Sequence, residues 1–321
     1  MIADLRAPGG AVDPAGVRLP SRAPVSRLLD RLEKFRVLDP ACGSGNFLYL
    51  GLQALKDIEH RAGLEVEELG LQRNLIPHTG PQNVLGIELD EYAAELARVT
   101  VWIGEIQWMR RNGFDVGRNP ILKPLDTIEC RDALLTADGK EAEWPAADYI
   151  VGNPPFIGGK DIRGRLGEGY VEALWAAHPH MNESADFVMY WWDRAAELLA
   201  RKGSSLKRFG FVTTNSLSQV FQRRVMERHL GGKAPVSLLM AIADHPWTKA
   251  TRDAAAVRIA MTVVALGERE GRRRAKAGRP SLRATAKQSR RERQPLSLDC
   301  FALLAMTLRA LRVWTMWRRS L

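Results

Sequence analysis

The chain has 321 residues, 45% hydrophobic and 26% charged, with a formal net charge of +10. That balance suits an enzyme-sized globular domain and excludes collagen-like, disulfide-dense and wholly disordered classes. Cys42, Cys130 and Cys300 lack paired or metal-ligand spacing, the N-terminus lacks a cationic start before an apolar run, and nothing before residue 300 could span a bilayer; a reduced, cytoplasmic protein without a zinc site or membrane association is expected.

Residues 1–30 are rich in Pro, Gly and Ala and read as a poorly ordered lead-in. From Arg36 the pattern alternates. Short apolar runs predict buried strands at 37–39 (VLD), 84–88 (VLGIE), 126–130 (DTIEC), 148–152 (DYIVG), 208–214 (RFGFVTT), 237–243 (SLLMAIA) and 257–266 (VRIAMTVVAL). Helix-period segments separate most of them: FLYLGLQALKDIEHRA, EYAAELARVTVWIGEIQWMRR, ADFVMYWWDRAAELLARKG and SQVFQRRVMERHL. Strands alternating with helices imply βαβ units and an α/β, doubly wound, mostly parallel sheet. The last two strands are joined by DHPWTKATRDAA, too short for a helical crossover, so an antiparallel strand should end the sheet.

After Leu266 the character changes. Residues 267–321 hold 15 of the 47 Lys and Arg but 4 of the 37 Asp and Glu, leaving 32 bases against 33 acids in residues 1–266. The basicity therefore belongs to a tail, and the body must bind any nucleic acid through local patches. The tail reads as disordered or non-homologous, an accidental extension; a nucleic-acid arm and a membrane-surface helix are the rival readings.

The first strand runs into DPACGSG, Asp39 to Gly45. A strand ending in an acid, then a tight Gly turn and a helix, presents backbone N–H groups to a ligand at the carboxyl edge of a sheet, and a Cβ at Gly43 or Gly45 is expected to obstruct it. Neither G-x-G-x-x-G nor a Walker loop is present, which argues against dinucleotides and nucleoside triphosphates. The segment resembles motif I of class I S-adenosylmethionine-dependent methyltransferases, in the form found in amino-group DNA methyltransferases. On that resemblance Asp39, Ala41, Gly43 and Gly45 are cofactor-binding. Glu88, ending the second strand, would take the ribose hydroxyls, and Asp132, after the third, the adenine amino group of S-adenosyl-L-methionine. Asp90 reads as the cap of the following helix.

The fourth strand ends in NPPF, Asn153 to Phe156. An exocyclic amine on a base is a poor nucleophile because its lone pair is delocalised. Acceptors such as the Asn153 side-chain carbonyl and the Pro154 backbone carbonyl can turn that lone pair toward a methyl group. Pro154 and Pro155 would fix the backbone, and Phe156 would offer a stacking face to an extruded base. Together the motifs resemble adenine-N6 DNA methyltransferases with the cofactor motifs first. The segments between them extend the resemblance, over about residues 30–266, to the methyltransferase portion of MmeI-like type IIL restriction-modification enzymes. It implies a catalytic domain at 31–266 acting on double-stranded DNA with a flipped adenine. Lys160, in a mobile loop, is a candidate for phosphate, and Thr213 to Ser216, Asn215 among them, for the base pocket or for capping the next helix. Trp191 and Trp192 read as core, and His245 as at most a pocket wall.

Three departures from that family stand out: no recognisable motif X before Val37, no nuclease core, and no target-recognition domain after Leu266. They predict an excised core that binds its cofactor weakly and methylates little alone. Two other readings stay open: a glutamine or ribosomal RNA methyltransferase, since NPP-aromatic loops also serve amide and amino nitrogens, and a non-catalytic remnant.

Overall fold

The computed structural model describes residues 22–68, 77–115, 124–246 and 258–267. The apolar runs form strands β1 (Val37–Asp39), β2 (Val84–Glu88), β3 (Ile128–Cys130), β4 (Tyr149–Gly152), β5 (Arg208–Thr214), β6 (Val236–Pro246) and β7 (Arg258–Leu266). They make one sheet in the order β3-β2-β1-β4-β5-β7-β6. Strands β1 to β5 pair in parallel, and β7 runs antiparallel to both β5 and β6. This is the expected class I methyltransferase topology. Its antiparallel member is last in sequence, but in space it lies between β5 and β6. The linker at 247–257 lies outside the described residues.

Alternation along the strands splits the core between the two faces of the sheet. Leu38, Ile150, Phe209 and Phe211 join a large cluster with α4 (Ile162–Leu166), α5 (Glu168–Ala177), α6 (Val188–Ala200) and α7 (Val220–Leu230). Their neighbours Val37, Tyr149, Val151 and Val212 face the other way, onto α1 (Arg22–Lys34) and α2 (Asn46–Glu68). Helix α3 (Glu91–Arg111) packs beside α2 through Ala94, Ala97 and Val101. Its start follows the predicted cap, because the Asp90 side chain accepts from the Ala93 N–H at 2.7 Å. Trp191 and Trp192 are buried, as expected.

The lead-in assigned to residues 1–30 needs correction at its end. Helix α1 starts at Arg22, and Leu28 and Leu32 sit in the core against Phe47 and Leu50. The predicted domain start at residue 31 therefore falls inside a packed helix. The tail from residue 268 lies outside the described residues. Among the described residues no helix is long and apolar enough to cross a membrane.

Candidate functional site

Because β1 to β4 are parallel, the ends of their predicted site residues converge on one edge. There Pro40, Ala41, Ile87, Glu88, Leu89, Arg131, Asp132, Ala133, Asn153, Pro155, Tyr170 and Trp191 enclose a cavity of about 270 Å³. Five of the ten predicted catalytic and cofactor residues line it directly: Ala41, Glu88, Asp132, Asn153 and Pro155. Asp39 and Gly43 sit behind it, hydrogen-bonded to the lining residues Ala41 and Glu88.

Asp39 ends β1 with no solvent exposure. Its Oδ1 accepts from the Ala41 N–H at 3.0 Å, while its buried Oδ2 has no hydrogen-bond partner among the described residues. Burial, reinforced by the nearby Glu88 charge, pushes the carboxyl up to about 8. The adjacent strand accommodates it only through glycine, since a Cβ on Gly152 would lie 2.7 Å from Asp39 Oδ1.

The two turn glycines serve different ends. Gly43 has φ +52° with open space where a Cβ would point, and its N–H donates to Glu88 Oε2 at 2.7 Å. The other Glu88 oxygen accepts from the Leu89 and Asp90 N–H groups at 2.9 and 3.0 Å, so this acid braces the turn as well as facing the cavity. At Gly45 (φ +84°) a Cβ would meet Ala97 Cα at 2.9 Å. The expectation that Gly45 makes room for a ligand is corrected here: it makes room for α3.

Asp132, beyond β3, is held on both oxygens. Oδ1 accepts from Leu134 and Leu135 N–H groups at 2.7 and 3.2 Å, and Oδ2 from the Tyr170 hydroxyl at 2.8 Å. Tyr170 comes from α5, in the insertion after the NPPF segment, where no motif marks it. Trp191 is more than core: its Nε1 donates to the Pro40 carbonyl at 2.9 Å and its ring lines the cavity.

In NPPF, Asn153 Oδ1 is buried without a partner among the described residues. Pro154 is buried, Pro155 is exposed at the rim, and Phe156 is half-buried between the clusters on both faces of the sheet. The segment that follows is tethered through Gly159. Gly159 donates to Asp186 Oδ1 at 3.1 Å, and a Cβ there would sit 2.4 Å from the Ser184 carbonyl oxygen. The second Asp186 oxygen accepts from Ser216, which also bonds Thr214. Asp186 thus joins the NPPF loop to the turn after β5, and only an alignment of distant segments could have revealed it. Lys160 and Asn215 are exposed and lie outside the cavity lining. Of the neighbouring cluster, Thr213 is buried against the Ala260 carbonyl, and α7 is preceded by Gln219 rather than capped by these residues. His245 reaches the same sheet edge on β6 but is exposed and does not line the cavity.

Residues 18–276 match the family model described as MmeI, DNA-methyltransferase domain. The chain belongs to this family. The match begins before α1, in accord with the packing of that helix. Over 240 residues, 73% of the chain, it is 26% identical to DNA methyltransferase A of Bacillus subtilis (strain 168) and covers 26% of that protein. Its fold is similar to that of the type IIL restriction-modification enzyme MmeI in complex with DNA, with a TM-score of 0.60 at 22% identity, covering 78% of this chain and 34% of that one. As a member of the MmeI methyltransferase-domain family, the chain thus spans about a quarter to a third of the length of these relatives.

Proposed function

We propose that this chain binds S-adenosyl-L-methionine at the strand-edge cavity and transfers its methyl group to the N6 amino group of an adenine flipped out of double-stranded DNA, as the modification part of a restriction-modification system. One observation carries the reading: among the described residues Asp39 Oδ2 and Asn153 Oδ1 are buried oxygens without partners, at the ends of adjacent strands β1 and β4. Buried acceptors left unpaired cost about 1–3 kcal/mol each, so such a pair is accounted for by donors that arrive with ligands.

The fit is chemical. The amino-acid end of the cofactor brings an ammonium, which would keep the Asp39 carboxylate ionised despite its burial. Glu88, at the end of β2, would receive ribose hydroxyls, and Asp132 the amino group of the purine. Ala41 and Gly43 supply close backbone, and Gly45 holds the turn against α3. The cofactor supplies an electrophilic methyl on a sulfonium. Asn153 Oδ1 and the Pro154 carbonyl would accept from the two N–H bonds of the target amine and leave its lone pair aimed at that methyl. The methylated amine would be acidic enough to lose its proton to solvent, so the site would need no strong general base. Pro155 and Phe156 would wall the base, with Lys160 and Asn215 placed to meet the DNA outside. Nuclease and target-recognition functions would be supplied separately from this domain.

Calorimetric titration of the full chain with S-adenosylmethionine tests the cofactor half, with Asp39→Ala expected to abolish binding. Methylation of duplex DNA, read as N6-methyladenine in a nucleoside digest, tests the other half, with Asn153→Ala lowering the rate about 100-fold or more while leaving cofactor affinity unchanged. A folded chain that gives no heat with the cofactor sinks the proposal, and methyl groups found on peptide or RNA instead would move it to another substrate.

A further inference from the structure

Within the cavity, Asp132 is unusually constrained for a half-exposed carboxylate. Two backbone N–H groups fix Oδ1, at 2.7 Å from Leu134 and 3.2 Å from Leu135, and a phenol from a separate helix fixes Oδ2 at 2.8 Å. Three donors on two oxygens set the plane of the group, so it cannot rotate to suit whatever ligand arrives. A carboxylate oxygen has two acceptor sites, and Tyr170 uses one of those on Oδ2. The other remains for a donor from the cavity. Because an ionised carboxylate only accepts, the Tyr170 hydroxyl must be the donor. Burial and the Asp132 charge push the phenol above its ordinary range, so the donor persists at all working pH values.

We propose that Tyr170 is a positioning residue that holds Asp132 as an acceptor, so that helix α5 helps the pocket select a purine bearing a 6-amino group. The inference rests on the assignment of this cavity to the cofactor and extends it to a residue of the insertion. The plain alternative is packing. Tyr170 lies edge-on to Phe187, with ring centroids 6.4 Å apart, and touches the main core. A packing role and a positioning role differ in one measurable respect. Loosened packing weakens all purine ligands alike, whereas a carboxylate released from its plane loses the ability to tell an N–H donor from a carbonyl acceptor at position 6.

The test titrates the full chain with S-adenosylhomocysteine and with S-inosylhomocysteine, which differ in carrying an amino or an oxo group at that position. A pocket that offers a fixed acceptor should prefer the amino ligand by about 10-fold or more, because the oxo group would leave two acceptors facing each other. Asp132→Asn should remove the preference. Tyr170→Phe, which keeps the ring and deletes only the hydroxyl, should narrow it by about 3- to 10-fold, the net contribution of one ordinary hydrogen bond, since the hydroxyl acts on the ligand only through Asp132. Equal weakening of both ligands by Tyr170→Phe, or an unchanged ratio, overturns the proposal and leaves packing. A wild-type chain that binds both ligands equally overturns it too, while sparing the cofactor site. If the wild-type chain is folded by circular dichroism and binds neither, the underlying assignment of the cavity fails.

Discussion

The buried carboxyl of Asp39 should make the free protein less stable as the pH rises. The group ionises near its ordinary value of 3.8 in the unfolded chain and near 8 in the folded one. Below about pH 4 both states hold the proton and the site costs nothing. Between the two values the unfolded chain releases a proton that the folded chain retains, and each pH unit removes about 1.4 kcal/mol of stability. From pH 5 to pH 8 the loss comes to about 3–4 kcal/mol, allowing for half-titration at the upper end. Asp39→Asn removes the titration. Its Oδ1 can still accept from Ala41, and the new amide places an unpaired donor where the protonated wild-type carboxyl already holds its O–H, so the two proteins carry a similar cost at low pH. Relative to the wild type the variant is therefore expected to gain about 3–4 kcal/mol of stability between pH 5 and pH 8, in urea unfolding followed by tryptophan fluorescence. Stability differences that stay constant from pH 5 to pH 8 would refute the reasoning, since Asp39 would then titrate alike in both states. The same ionisation predicts that cofactor binding near pH 6.5 releases about one proton, visible in calorimetry across buffers of different ionisation enthalpy.

Three further outcomes test other parts of the account. Gly45→Ala places a Cβ against Ala97 at a positive φ and should cost about 2–4 kcal/mol in chemical denaturation; a loss under 1 kcal/mol would show that α3 can yield. Lys56 is fully buried, donating to Glu105 at 2.8 Å and to the Thr79 carbonyl at 2.9 Å. Lys56→Ala should therefore cost about 3–5 kcal/mol, and adding Glu105→Gln should recover part of it, because the unpaired charge is then gone; a double variant no more stable than the single one counts against this. Asp186→Ala should speed hydrogen exchange at Gly159 and lower methyl transfer about 10- to 100-fold with cofactor affinity unchanged; exchange as slow as in the wild type would mean that the loop is held by other contacts.

Strands β1, β2 and β5 were legible in the sequence to their last residue because each is a continuous apolar run ended by an acid or a polar cluster. Helix α3 was equally plain, since Asp90 marks its start. Helix α1 was hidden by Pro24 and by the mere two buried leucines it contributes, a face too narrow to read as a period. Helices α4 and α5 carry Gly164 and Gly169 and meet at Gly167, so no helix period stands out in that segment. The site divides along the same line. Asp39, Glu88, Asp132 and Asn153 could be placed at one edge from the sequence because each sits at or just beyond the end of a strand, and the parallel order brings strand ends together. Tyr170 and Asp186 could not be, because their partners lie 38 and 30 residues away across the loop and helix boundaries, to Asp132 and to Ser216. Gly45 was found for the wrong reason: its motif is local, but the contact that demands glycine comes from α3.

Strand β7 has a consequence for how the chain is made. Every residue of β5 pairs with it, from Arg208 opposite Ala265 to Thr214 opposite Ile259. Until the ribosome has passed residue 266, β5 is an open edge beside β4, with its apolar side chains ready to recruit any passing strand. The polypeptide must therefore carry an unfinished sheet through the synthesis of α7 and β6. Closure comes only when the last strand inserts between two that were already waiting.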